Sequence, residues 1–443
     1  MAAENKPRST RNAILILLGG SVLAQAMPIL ISPIITRLYT PEDFGRFAIF
    51  SSVLGIVGPI ASLRYDYAIV LPARESTAEI LTIISVYVAL CTSLALLVMQ
   101  LVIAQLASYP TMRSFAVGIM LLIPVAMCMT GIYQALSTLS LRHKQYRLIA
   151  KTRVQQGIGT CIIQLIGGLF SLGPIGLALG SISGQSTGAS SLFQYAWKSG
   201  RLRKSVTRFR RLNLYALKYS AFPLWSSTSS FINAIAMSIP SGAIALIFGP
   251  AEGGFFMLSQ RVMGAPLSLL GGAVGQVYEA EASAISRQSK RELRSRFWWT
   301  ARRLGLVGLL CIIPVGLLAG SSIPIIFGKR WGPATPYLLA MSPLFIAQFA
   351  NSPLSQTLVI LRHLRLQFIL DVVRLAVMVT VFLWAELMRP LPLLAVQVYS
   401  GTMCFCYLCY FTSYAWAVRY HARQEAHSEE CDKTSDQEEP VAS

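Results

Sequence analysis

Residues 13–35, AILILLGGSVLAQAMPILISPII, contain no charged side chain. A helix rises 1.5 Å per residue, so about 20 apolar residues cross the ~30 Å hydrocarbon core of a bilayer. This block is therefore long enough to span. Ala24-Gln25-Ala26 resembles a signal-peptidase site, but the apolar run continues unbroken to Ile35 and reads as a span rather than a cleaved leader. The same pattern recurs along the chain. Spanning helices are predicted near residues 13–35, 44–62, 78–107, 113–137, 154–171, 174–197, 221–248, 254–278, 303–327, 334–360, 366–386 and 392–417. Alternation of period two, the mark of a membrane barrel, is absent. The expected fold class is thus an all-α polytopic membrane protein of about twelve transmembrane helices.

Composition agrees. Apolar residue types make up 54% of the 443 residues and charged ones 13%, against roughly 25% charged in a soluble domain. Mean hydropathy is +0.56. The net charge of +19 would point to nucleic acid in a soluble protein. Placement argues otherwise. If the N-terminus and every second loop are cytoplasmic, thirty of the 38 Lys and Arg lie inside and six outside (Arg37, Arg46, Arg113, Lys329, Arg330 and Arg389); Arg261 and Arg374 fall within spans. Such a bias is the positive-inside rule, with both termini cytoplasmic. The basic loops then need anionic membrane lipids as partners and no nucleic acid.

Seven of the eight cysteines lie in apolar runs. Cys404, Cys406 and Cys409 sit in one continuous apolar helix without a nearby His or acid, so no metal is expected. The histidines at 143, 363, 421 and 427 are scattered through cytoplasmic segments. No GxxxxGK[ST], HExxH or GxSxG motif occurs, and no loop is long enough to house a catalytic domain. The expectation is a transporter, not an enzyme, with no catalytic residue.

The basic stretch KSGRLRKSVTRFRRLNLYALKY, residues 198–219, divides the spans six and six. Leu212, Tyr215, Leu217 and Tyr219 alternate there with basic residues, which suits an interfacial amphipathic helix. The predicted organisation is a cytoplasmic N-terminus (1–12), an N-terminal six-helix lobe (13–197), a basic linker (198–220), a C-terminal six-helix lobe (221–418) and an acidic disordered tail (419–443). The two halves share a signature. Pro41-Glu42-Asp43-Phe44-Gly45-Arg46-Phe47 and Pro250-Ala251-Glu252-Gly253-Gly254-Phe255-Phe256 repeat Pro, acid, Gly and Phe at a constant offset of 209. Each copy lies in the short turn after the first span of its half. Six spans per repeat make the halves parallel, related by an axis along the membrane normal.

Charges in or beside spans are costly unless they meet a partner or water. Arg261 either faces a cavity, where its guanidinium would grip an anionic group, or pairs with an acid on another helix. Asp371 and Arg374, spaced i,i+3, either pair locally or leave Asp371 as a proton or cation site. Arg37 closes the first span. Arg64 and Asp66 end the second at the opposite face, as anchors or functional groups. Gln25, Gln164 and Gln260 either tie helices together or touch a substrate. Prolines at 28, 33, 59, 223, 240 and 266 interrupt spans in both halves, as bending around a cavity requires.

Several of these residues fall in stretches that resemble a known family. Gly20-Ser-Val-Leu-Ala-Gln25, Ser32-Pro33, the run Thr36-Arg37-Leu38-Tyr39-Thr40-Pro41-Glu42-Asp43-Phe44-Gly45 and the run Leu63-Arg64-Tyr65-Asp66-Tyr67-Ala68-Ile69-Val70-Leu71-Pro72 carry the likeness. Phe248-Gly249, Gln260-Arg261-Val262, Pro266, Gly328-Lys329-Arg330-Trp331-Gly332, Ser342-Pro343-Leu344-Phe345 and Ser352-Pro353-Leu354-Ser355 extend it. Together, over about residues 10–420, they resemble Wzx-like lipid-linked oligosaccharide flippases (polysaccharide export proteins) of the multidrug/oligosaccharidyl-lipid/polysaccharide (MOP) superfamily. The resemblance implies two six-helix lobes around a V-shaped cavity, as in MATE transporters, in the bacterial inner membrane. The implied cargo is an undecaprenyl-pyrophosphate-linked sugar repeat unit, moved from the cytoplasmic to the periplasmic leaflet for O-antigen or exopolysaccharide assembly. It further implies a cationic cavity. Here that role falls first to Arg261 and Arg37, with Arg64 and Arg374 behind them and Gln25 and Gln260 as polar neighbours. The drive would be an H⁺ or Na⁺ gradient acting through Asp66 or Asp371, without a cofactor, and polysaccharide polymerase or ligase enzymes would be partners. A MATE-like antiporter is the alternative, although its lobes would need cation-binding acids that the N-terminal spans essentially lack.

Overall fold

The computed structural model describes residues 6–106, 118–198, 212–220 and 222–435. Among these residues twelve helices reach seventeen residues or more, and there is no strand. They are α1 (Lys6–Leu38), α2 (Pro41–Val57), α3 (Glu75–Leu106), α4 (Ile123–Arg142), α5 (Tyr146–Leu169) and α6 (Pro174–Lys198), followed by α7 (Ser227–Phe248), α8 (Pro250–Gln288), α9 (Lys290–Phe327), α10 (Ala334–Asn351), α11 (Leu364–Met388) and α12 (Pro392–Ser435). Each expected span overlaps one helix, and the chain is a multi-pass membrane protein. Eight helices are long and apolar enough to cross a membrane by length and composition among the described residues. The other four, α5, α6, α8 and α10, are diluted by Gly, Ser, Gln or Pro.

Several helices outrun their spans. α8 runs to Gln288 rather than 278, α9 starts at Lys290 rather than 303, and α12 continues to Ser435. Hydropathy marks only the part of a helix that lipid would touch, whereas helix propensity does not stop at the interface. Residues 418–435 lack Gly and Pro and include Ala, Arg, Gln and Glu, all strong helix formers. Residues 419–435, expected to be disordered, are therefore helical. Glu425 fixes this extension: its carboxylate accepts the backbone N–H groups of Lys290 and Arg291, both at 2.9 Å, which are orphan donors at the start of α9. Residues 1–5, 107–117, most of the basic linker and the last eight residues lie outside the described set. The linker's described part, Leu212–Lys218, is a helix whose Tyr215 and Ala216 pack on a buried cluster around Tyr65, Leu81 and Leu136.

Close packing divides the chain into two units, Met1–Leu258 with Ile323–Pro333, and Ser259–Ser322 with Ala334–Ser443. The first boundary falls inside α8 and not at the basic linker, because α7 packs closely along α2. Small residues permit that approach: Ser52 and Ser241 share a hydrogen bond of 3.0 Å, and Gly242 lies over Ser52.

In the first unit α1, α5 and α6 form a seam of small and amide side chains. Gly157 lies against the Ala24 backbone, and a Cβ on Gly167 would stand 2.7 Å from the Gly176 Cα. Across the α5–α6 contact, Gln156 donates to Gln185 at 3.2 Å and Ser191 to Gln155 at 3.0 Å. Lipid chains are as apolar as Leu, so helices in a membrane associate through such close packing and polar ties. Gln164 belongs to this set: it is buried and its amide donates to the Leu177 carbonyl at 3.3 Å.

Candidate functional site

The two copies of the repeated motif meet. Gly45, near the start of α2, sits against the backbone of Pro250, where a Cβ would overlap the proline carbonyl oxygen. Gly254, near the start of α8, sits in the same way against the carbonyl of Pro41. Residues 41 and 45 thus contact residues 254 and 250 reciprocally, as a local twofold requires. Only glycine lets the backbones approach this closely.

Trp331, in the turn between α9 and α10, closes the same region. It is fully buried, and its indole N–H donates at 2.8 Å to the carbonyl of Thr36, one of the last carbonyls of α1 that lack a helical partner. Phe44 meets it edge-on at 4.9 Å and Phe255 at 6.2 Å between ring centroids. Tyr39, beside Phe44, donates its hydroxyl to the Gln164 carbonyl at 2.7 Å. Four aromatic rings and two glycine–proline contacts make this a dry seal at one end of the first unit. Arg37 stands at its edge, exposed, reaching the Ile325 carbonyl at 3.5 Å.

At the other end of α2 the chain leaves the helix through Leu63 and Arg64, both in the left-handed region at φ 47° and 60°. This bend aims the Arg64 guanidinium at Ser230 on α7 (2.7 Å) and over the Tyr67 ring (4.4 Å). Asp66 points inward, is buried, and accepts the Ser62 hydroxyl at 2.6 Å. Below it Arg142 holds the Ile69 and Val70 carbonyls and pairs with Glu75. Gln25, on α1, is exposed.

The remaining candidates lie in the second unit. Arg261 and Gln260 are half-buried on α8. Asp371 and Arg374 form the local pair that their spacing allows, at 3.7 Å, and Tyr410 on α12 donates to Asp371 at 2.5 Å. The Arg374 guanidinium lies 5.8 Å from the Tyr410 ring centre. Here the Arg374 side chain is largely enclosed beside the Tyr410 ring while the Asp371 side chain is about half exposed, and the cost of the charge is offset by the pair, the tyrosine hydrogen bond and the ring face.

Two features went unread in the sequence. His363 and His421, 58 positions apart, place their Nε2 atoms 3.0 Å from each other, with Trp416 against the His363 ring. Trp331 was noted only as part of a motif, and nothing in the pattern tied it to Phe44 or Thr36. Both arise from distant segments, beyond what periodicity detects. Among the described residues no group of three or more His, Cys, Asp and Glu converges as a metal site would require.

Comparison with known proteins bears on this geometry. No curated protein matches the sequence. Among solved structures, a lipid II flippase MurJ in an inward closed conformation superimposes with a TM-score of 0.66 at 12% identity, covering 90% of this chain and 87% of that one. An inward-facing multidrug resistance MATE family transporter of the MOP superfamily gives 0.60 at 14% identity, covering 91% and 96%. A MOP superfamily transporter from Pyrococcus furiosus gives 0.52 at 15% identity, covering 92% and 95%. These likenesses establish the fold. Residues 34–336 also match the family model described as polysaccharide biosynthesis protein. That range takes in the repeated motif, both seal glycines, Trp331, Arg64, Asp66 and Arg261, so this chain, with the fold of the MOP superfamily, belongs to the polysaccharide biosynthesis protein family.

Proposed function

We propose that the protein is a Wzx-like flippase that carries an undecaprenyl-pyrophosphate-linked oligosaccharide repeat unit from the cytoplasmic to the periplasmic leaflet, for assembly of a surface polysaccharide. The observation that carries this reading is the coincidence of a polysaccharide-biosynthesis family match with a fold shared with a lipid II flippase. Two arginines inside the spans, Arg261 and Arg374, suit an anionic cargo better than a cationic one. Under the positive-inside reading the seal around Trp331 faces the periplasm, and Arg64 and Asp66 face the cytoplasm. Export would then require the glycine–proline contacts to part. An H⁺ or Na⁺ gradient would drive the cycle, with Asp66 and Asp371 as the acids available to couple it.

Deletion of the gene followed by analysis of lipid-linked glycans is the direct test. The reading expects lost surface polysaccharide and a lipid-linked intermediate held in the cytoplasmic leaflet; unchanged polysaccharide with no such build-up defeats it. Arg261→Ala is expected to abolish export in a folded, inserted protein, with partial rescue by Arg261→Lys, since Lys lacks the planar fork. Export at wild-type level by the Ala variant would remove Arg261 from the site. The match to a multidrug MATE transporter favours a second reading, an ion-coupled small-molecule antiporter. Altered drug susceptibility of the deletion strain, with intact polysaccharide, would select it.

A further inference from the structure

α12 continues past its predicted span, and two residues one turn apart on that extension, His421 and Glu425, reach two different turns of the second unit. Glu425 serves the start of α9. Its carboxylate accepts the Lys290 and Arg291 N–H groups, both at 2.9 Å, and the Ser289 hydroxyl at 3.4 Å. His421 serves the start of α11, where its Nε2 lies 3.0 Å from that of His363. The positive-inside reading places both turns on the cytoplasmic side.

The imidazole contact is fixed from both backbones. Arg362 is left-handed at φ 63°, the His363 N–H donates to the Leu358 carbonyl at 2.8 Å, and the His363 carbonyl accepts the Gln367 N–H at 3.2 Å. His421 rides on a continuous helix. Trp416 packs on the His363 ring at 5.6 Å and Tyr420 on the His421 ring at 5.5 Å between centroids, and the two walls stack on each other. Both histidines are only half-buried, so protons reach them.

A contact between two Nε2 atoms needs one N–H and one lone pair. It survives a first added proton, carried on the far nitrogen of the donor ring. A second proton removes the acceptor and sets two like charges 3.0 Å apart. The surroundings oppose that state. Lys290 bears on His421 from α9. Arg362 and Arg365 flank His363, both exposed; Arg423 and Arg419 flank His421, the latter turned over Trp298 at 5.3 Å. The acid one turn on, Glu425, is already committed to the α9 backbone.

We infer that the extension of α12 is an acid-released strap, which ties the turns before α9 and α11 to the last helix at neutral pH and lets go of α11 when both histidines are protonated. The released state takes up two protons where the strapped state takes up one at most. The strap is therefore complete at neutral pH and is lost as pH falls. Its window lies below the ordinary histidine value of about 6.5, because like charges resist the second proton. Glu425 holds on longer: a carboxylate that accepts two backbone N–H groups keeps its charge below the ordinary glutamate value of about 4.3. Release thus has two steps, α11 before α9. This device goes beyond the proposed function and stands whatever the cargo is.

Hydrogen–deuterium exchange of the full-length protein in lipid nanodiscs at pH 7.5 and 5.0, corrected for intrinsic rates, reads both turns. In wild type the amides of residues 358–367 should exchange at least tenfold faster at pH 5.0, while those of 290–293 stay protected. His421→Ala should exchange fast at 358–367 at both pH values. His421→Gln should stay slow at both, since an amide serves one imidazole as donor or acceptor whatever its charge. Glu425→Gln should free residues 290–293 at pH 7.5 and leave 358–367 protected. Arg423→Gln, beside the strap, should follow wild type. Wild-type protection of 358–367 that persists at pH 5.0 overturns the strap. So does a wild-type pH step in His421→Gln, a variant that removes no volume and needs no refolding of the turn. Simultaneous loss at both turns in wild type at pH 5.0 overturns the two-step release.

Discussion

The starts of α2 and α8 carry the same motif 209 residues apart and solve the same geometric problem differently. At α2 the turn is held by hydrogen bonds: Thr40 has an extended backbone (φ −84°, ψ 163°), its hydroxyl accepts the Asp43 N–H at 3.2 Å, and the Asp43 carboxylate accepts the Thr40 N–H at 3.0 Å. This reciprocal capping box satisfies two donors that a helix start leaves orphaned. At α8 the equivalent residue is Gly249 with φ +104°, a conformation that side chains resist. The next difference is volume. Phe44 is buried against Trp331, while its counterpart Gly253 is pressed so tightly on Ala245 of α7 that no side chain fits. What both copies keep is the proline, an acid two residues on, the glycine four on and the phenylalanine six on. The shared glycine and proline make the reciprocal contact, and the divergent residues at positions 44 and 253 face different neighbours.

Substitutions can break this comparison on either side. Phe44→Ala is expected to cost most, about 3 kcal/mol, because the cavity under Trp331 cannot collapse between fixed backbones; thermal unfolding of the detergent-purified protein measures it. Gly45→Ala and Gly254→Ala should each cost about 1–3 kcal/mol by overpacking. Because both push the same two backbones apart, the double variant should cost less than the sum of the singles. Strict additivity would show that the two contacts are independent. The smallest effects belong to the turns. Thr40→Ala should lose about 1 kcal/mol of capping, and Gly249→Ala about as much through strain at positive φ. If Thr40→Gly costs as much as Thr40→Ala, the cap is not the source, since glycine is nearly as good at this position.

The fold was legible because the bilayer imposes a length. Blocks such as 13–35 and 80–107 have too few charges to be anything but membrane helices, and twelve such blocks became twelve helices. The helix ends were less legible. α8 and α9 extend past their apolar parts on residues such as Glu281, Lys290 and Arg296, which hydropathy counts against a span although they are good helix formers. The organisation into lobes was read from one basic linker, whereas packing follows small residues such as Ser52 and Gly242 that carry no signal in composition. Of the candidate charges, only Asp371 and Arg374 were close enough in sequence for their pairing to be foreseen. Arg64 reaches Ser230 across 166 positions, and that reach depends on two left-handed residues whose identities, Leu and Arg, give no hint of it.

The reciprocal contact of Pro41 with Gly254 and of Gly45 with Pro250 is the kind a homodimer makes about its own axis, where residue i meets j and j meets i. A half-length ancestor that formed such a dimer would have felt every substitution at the contact twice, once on each side. Joining two copies in one chain ends that constraint, and one side can then change while the other holds. Thr40 opposite Gly249, and Phe44 opposite Gly253, are the asymmetries that such a release permits. The glycine–proline pairs are the part of the old interface that still has to match itself.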